Sequence, residues 1–86
     1  MKISRGWKVH NNITDDDINV LKTALSELIG VEYEPKILAT QSVNGTNYCF
    51  ICKSKVAAHN GQGISKVMIY KPLTGKAKIT SIECIL

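Results

Sequence analysis

Three cysteines, two histidines and a run of three aspartates are the residues of this chain whose types could do chemistry. Cys49-Phe50-Ile51-Cys52 has the C-x-x-C spacing, which at the start of a helix makes a redox pair or half of a zinc site. Its neighbours, Tyr48 to Val56, read instead as a strand, on which positions 49 and 52 project to opposite faces. The two sulfurs then cannot readily pair, and the only further thiol is Cys84. A zinc tetrad of Cys49, Cys52, His59 and Cys84 would need a different local structure, so no metal site is assigned. Three thiols, an odd number with no leader peptide, fit reduced cysteines buried as small apolar groups. His10 and His59 fall in connectors, unspaced from any Ser, Cys or acid that would make a catalytic set, and are expected to be solvated. Asp15-Asp16-Asp17 lacks a further ligand cluster and reads as the first turn of a helix rather than a cation site. Gly61-Gln62-Gly63 has no Gly-Lys-Ser/Thr ending and leads into a strand, so it is no phosphate loop. The sequons Asn12-Ile13-Thr14 and Asn44-Gly45-Thr46 matter only in a secreted protein. No enzyme activity, cofactor or metal is expected.

The elements that carry these residues must fit in 86 residues, which make a single domain, 1–86, of modest stability. A hydrophobic content of 44% is that of a globular protein, and no apolar run approaches the roughly 20 residues that span a bilayer. The N-terminus, MKISRGWK, has charges but no apolar stretch after them, so the chain is expected to be soluble and cytoplasmic unless a leader has been removed. Its net charge of +4 is uneven. Residues 1–34 hold four basic and six acidic groups, and residues 35–86 hold seven basic and one acidic. Ten of the eleven basic residues are Lys, which suits exposed strands better than the recognition of bases or phosphates, so nucleic acid is not an expected partner.

Asn44-Gly45 stands between two runs of β-branched and aromatic residues, the strongest short-range signal for a hairpin, and a two-residue turn with positive φ at both positions is expected. Before it, a short strand from Trp7 to Val9 leads to Thr14, which caps a helix starting at Asp15. Ile18, Leu21, Leu25, Leu28 and Ile29 share one face of that helix, and Gly30 is expected to end it. Strands then follow over Tyr33–Val43, Tyr48–Val56, Ile64–Tyr70 and Ala77–Ile85, with His59–Gly63 and Lys71–Lys76 as connectors. Tyr48, Phe50, Cys52 and Val56 form the core face of the third strand, while Ile51, Met68 and Tyr70 face away from the helix. Hairpin connections make the last four strands an antiparallel meander, and its one apolar face covers the helix. The expected fold is α+β, order β-α-β-β-β-β, with one helix cradled by a curved antiparallel sheet of four to five strands.

Gln41-Ser42-Val43-Asn44-Gly45 fits Q-x-V-x-G, the first-hairpin motif of the cystatins, and Gly45-Thr46-Asn47-Tyr48 resembles the continuation common in stefin-type members. The Gly6-Trp7 start is similar to small bacterial cystatin-like domains. Cystatins plug the cleft of papain-like cysteine proteases with an N-terminal segment ending in Gly, the Q-x-V-x-G hairpin and a second hairpin. The resemblance implies protease contacts from Gly6, with Ile3, Ser4 and Arg5 before it, from Gln41, Ser42, Val43, Asn44 and Gly45, and from Pro72, Leu73, Thr74 and Gly75. At the second hairpin Leu73 matches the stefin leucine, but Thr74 stands where proline would follow. Stefins lack disulfides, as this chain is expected to. The function implied is reversible inhibition of papain-like cysteine proteases by a monomer, or by a dimer. The alternative is a non-inhibitory module of the same fold that binds another protein through its sheet face or edge.

Overall fold

The computed structural model describes residues 6–56 and 61–86. His59 of the expected connector, and Ile3 to Arg5, lie outside them. Five strands and one helix follow in the order β1 (Trp7–His10), α1 (Asp15–Leu25), β2 (Val31–Val43), β3 (Gly45–Val56), β4 (Gly61–Lys71) and β5 (Lys78–Cys84). The strands form one antiparallel sheet in sequence order, β1-β2-β3-β4-β5. No described helix is long and apolar enough to cross a membrane.

The helix begins where its cap dictates. The Asp17 N–H donates to Thr14 Oγ1 (3.2 Å) and the Thr14 N–H donates to Asp17 Oδ2 (3.0 Å), a reciprocal box that satisfies two backbone donors and contributes about 1 kcal/mol. Its end differs from expectation. The helix stops at Leu25, and the following amides of Ser26 and Leu28 donate to the carbonyls of Thr23 and Leu25, tightened bonds that close the last turn. Leu28 is 48% and Ile29 93% exposed, so the apolar stripe past Leu25 covers little of the core. Gly30, at φ +93°, turns the chain into β2 instead of capping the helix.

Leu38, Phe50 and Val67 stand opposite one another across β2, β3 and β4, and all three are fully buried. Leu21 of the helix, Cys52, Ile69 and Ala77 complete the core, with Ile13, Val20, Ala24 and Leu25 packed at its margin. The Tyr48 and Phe50 rings stack with centroids 5.9 Å apart on the same face of β3. On that face Ser54 is also buried, its hydroxyl accepting from Ser65 Oγ at 3.1 Å. The alternation expected for β3 therefore holds, although Tyr48 and Val56 are only half-buried.

Three strands start well before their expected positions: β2 at Val31 rather than Tyr33, β3 at Gly45 rather than Tyr48, and β4 at Gly61 rather than Ile64. β2 runs through Pro35 because β1 pairs only with Leu38 to Gln41, leaving no strand beside Pro35 to miss its N–H, and a register shift between Pro35 and Ile37 absorbs the irregularity. Gly61 to Gly63, expected in a loop, belong to β4 and pair with Val56 to Ser54. Gly63 is needed there: a Cβ would lie 2.3 Å from the Leu86 carbonyl oxygen, to which the Ile64 amide donates.

Candidate functional site

The first turn is tighter than the Asn44-Gly45 pair predicts. Val43 pairs with Gly45, so Asn44 alone forms the apex and Gly45 already belongs to β3, at φ +117°. The reason lies on the neighbouring strand. A Cβ on Gly45 would stand 2.5 Å from the Lys71 carbonyl oxygen, 2.9 Å from the Tyr70 hydroxyl and 3.0 Å from Pro72 Cα. The backbone of the first tip is thus packed directly on the start of the β4–β5 connection. The Tyr70 hydroxyl donates to the Asn44 carbonyl and straps the apex to β4.

Behind the tip, Trp7, Gln41, Asn47 and Tyr70 form one row across four strands on the face away from the helix. Asn47 Nδ2 donates to Gln41 Oε1 at 2.9 Å, fixing the Gln41 amide beside the first strand. Gly6 precedes that strand, and a Cβ there would lie 3.5 Å from Gln41 Cγ, in ordinary contact. The β4–β5 connection closes the row. Leu73, 74% exposed, stands at its outer turn, and Gly75, at φ +127°, brings the chain back with its Cβ position 3.2 Å from Pro72 Cγ. Val43, 48% exposed, gives the first tip an apolar side chain.

Gly6, the Gln41–Gly45 segment and the Pro72–Gly75 segment are therefore gathered at one end of the sheet, with the second and third in backbone contact. Tyr70, Asn47 and Lys71 also belong to this end, and sequence reasoning did not assign them to it. Their positions in the strands were legible, but the register that sets them beside the tip was not.

The remaining reactive groups are dispersed. Cys52 is buried on the core face of β3, Cys49 is half-buried on the opposite face, and Cys84 is exposed near the end of β5. Among the described residues no group of three or more His, Cys, Asp or Glu could hold a metal ion. His10, expected to be solvated in a connector, is instead half-buried at the end of β1, its Nε2 2.7 Å from Thr40 Oγ1. Burial, then the charges of Asp17 and Asp16, raise the Tyr48 hydroxyl above its ordinary pKa.

Burial also raises the Cys49 thiol and, joined by the nearby Cys49, pushes Cys52 up to about 11 from 9.0. A thiol reagent near pH 8 is expected to modify Cys84 first, Cys49 slowly and Cys52 only on unfolding. Because the folded state holds the Cys52 proton more tightly, its contribution to stability is complete below the unfolded pKa and lost as pH rises through the folded one. Denaturant midpoints should fall between about pH 9 and 11, and by less in Cys52→Ala; an equal fall in that variant would show that this thiol is not responsible.

Compared with known proteins, the chain is 35% identical over 72 residues to Cystatin-A2 of Dictyostelium discoideum, an alignment covering 80% of this chain and 70% of that protein. No family model and no solved structure matches.

Proposed function

The chain belongs to the cystatin family, and on that premise we propose that it is a reversible inhibitor of papain-like cysteine proteases that inserts the Gln41–Gly45 hairpin into the active-site cleft. Members of this family bind cysteine proteases and are inhibitors rather than enzymes. One observation carries the reading furthest. Three segments far apart in sequence meet at one end of the sheet, and the two turns are held there as a single body by the contact of Gly45 with Lys71 and Pro72.

Such a body suits a concave cleft. Its backbone is fixed before binding, which reduces the entropy lost on association, and it offers no flexible extended peptide for cleavage. In this reading Gly6 sits beside Gln41 at one flank, Val43 and Asn44 lead at the centre, and Pro72, Leu73, Thr74 and Gly75 meet the other wall. Val43 and Leu73 supply exposed apolar contact. Gln41 and Ser42 carry the strand into the tip.

A second reading has its own observation. Ile37, Ile51 and Ile64 line an apolar groove of about 490 Å³ on the face away from the helix, a surface on which a non-inhibitory module of this fold could hold another protein. Titration of papain with the folded protein at neutral pH separates the two. The inhibitor reading expects submicromolar inhibition that weakens at least about tenfold in Val43→Asp, whose new charge would be desolvated in the cleft. A folded wild type that leaves papain fully active would remove that reading and leave the groove as the better one.

A further inference from the structure

Lys71, Lys76 and Lys78 bracket the second turn. Lys71 pairs with Thr46, one residue beyond Gly45, and Lys78 pairs with Tyr70, whose hydroxyl straps the first apex. Lys71 and Lys76 share the lining of a groove with Gly75, and Lys76 and Lys78 share that of the next groove along the helix. Ion pairs among the described residues are Lys36–Glu34 and Lys66–Glu83, and they leave these three ammonium groups without a carboxylate partner.

Acidic groups lie elsewhere. Between Glu34 and Glu83 the sequence holds seven lysines and no Asp or Glu. Glu34 and Glu83 are themselves engaged, the first by Lys36, which holds its carboxyl below the ordinary range, and the second by Lys66. Asp16 and Asp17 act on Tyr48 at the helix start. Glu27 shares its groove lining with Lys76 and Lys78, and the groove that Lys71 lines holds no carboxylate among the described residues.

We propose that Lys71, Lys76 and Lys78 form an electrostatic rim that selects papain-like proteases whose cleft wall opposite the second turn is acidic. This rests on the inhibitor reading and adds the charge of the preferred target. The rim acts before contact. Cations without a carboxylate partner beside a docking edge attract an acidic wall over roughly a Debye length, about 10 Å at 0.1 M salt, and so raise the association rate more than they slow dissociation. A basic wall meets the same rim with repulsion.

The test compares wild type with K71Q/K76Q/K78Q against two papain-like proteases, one with an acidic cleft rim and one with a basic rim, at 20 and 300 mM NaCl. Toward the acidic enzyme, the wild-type association rate should fall about tenfold between the two salts, and the triple variant at low salt should be slower by about fivefold with little salt dependence. Dissociation rates should change less, and the basic enzyme should show the opposite salt trend. Equal rates and equal salt dependence in wild type and variant would overturn the electrostatic rim while leaving inhibition intact. Failure of the folded wild type to inhibit either enzyme would overturn the inhibitor reading and the rim with it.

Discussion

Gly45→Ala is expected to cost about 2–4 kcal/mol of stability and to weaken inhibition of papain by at least about a hundredfold. Two costs combine. At φ +117° a side chain is strained wherever it stands, and here its first carbon would also lie 2.5 Å from the Lys71 carbonyl oxygen. The Tyr70 hydroxyl at 2.9 Å belongs to a side chain, but Lys71 and Pro72 present backbone that cannot simply swing aside. Relief requires the two turns to part, which lowers the thermal midpoint by roughly 10–25 °C in a domain of this size and destroys their shared outline. Asn44→Ala supplies the comparison, because it keeps the carbonyl that receives the Tyr70 hydroxyl, and it should change stability by less than about 0.5 kcal/mol. Differential scanning calorimetry and papain titration on both variants decide the matter. If Gly45→Ala melted and inhibited like wild type, contact between the turns would not be what shapes the site.

Phe50→Ala attacks the other layer of the molecule and should cost about 3–5 kcal/mol. The ring is fully buried between Leu38 and Val67 and stacks on Tyr48, so its removal leaves a cavity that three strands and the helix cannot close. For a chain of this length that is about a quarter or more of a total stability of roughly 4–13 kcal/mol. Urea unfolding would show a lower midpoint with a similar slope. The inhibition constant, corrected for the folded fraction, should stay within about threefold of wild type, because Phe50 faces the helix and not the turn end. A variant that keeps its stability would place the core elsewhere.

The contrast between these two residues shows what the sequence made legible. Phe50 could be placed from alternation alone, since Tyr48, Phe50 and Cys52 share a parity that a half-buried strand must keep. Thr14 with Asp17 marked the helix start as clearly, because a capping box is local chemistry. The helix end was not local. Leu28 and Ile29 continue the apolar stripe, and only the folded structure leaves Leu28 half-exposed and Ile29 almost fully exposed. At the site, Gln41 to Gly45 could be read as a tip, whereas the tightness of the turn depends on Lys71 and Pro72, which approach from 26 residues or more along the chain. His10 was misplaced for the same reason, its partner Thr40 being 30 residues away. Periodicity and capping report neighbours in sequence, and register reports neighbours in space.

The strand order has a consequence for how the protein is made. Every strand lies beside its neighbours in sequence, but β1 reaches β2 only after the helix and its connection have been completed. During synthesis β1 and α1 therefore leave the ribosome with no sheet to join. The short separations in sequence between β2, β3 and β4 let them close successively as they emerge, each pairing needing little loop entropy. β1 is thus translated before the strand it joins, and Gly6 can reach Gln41 only after β2 has emerged.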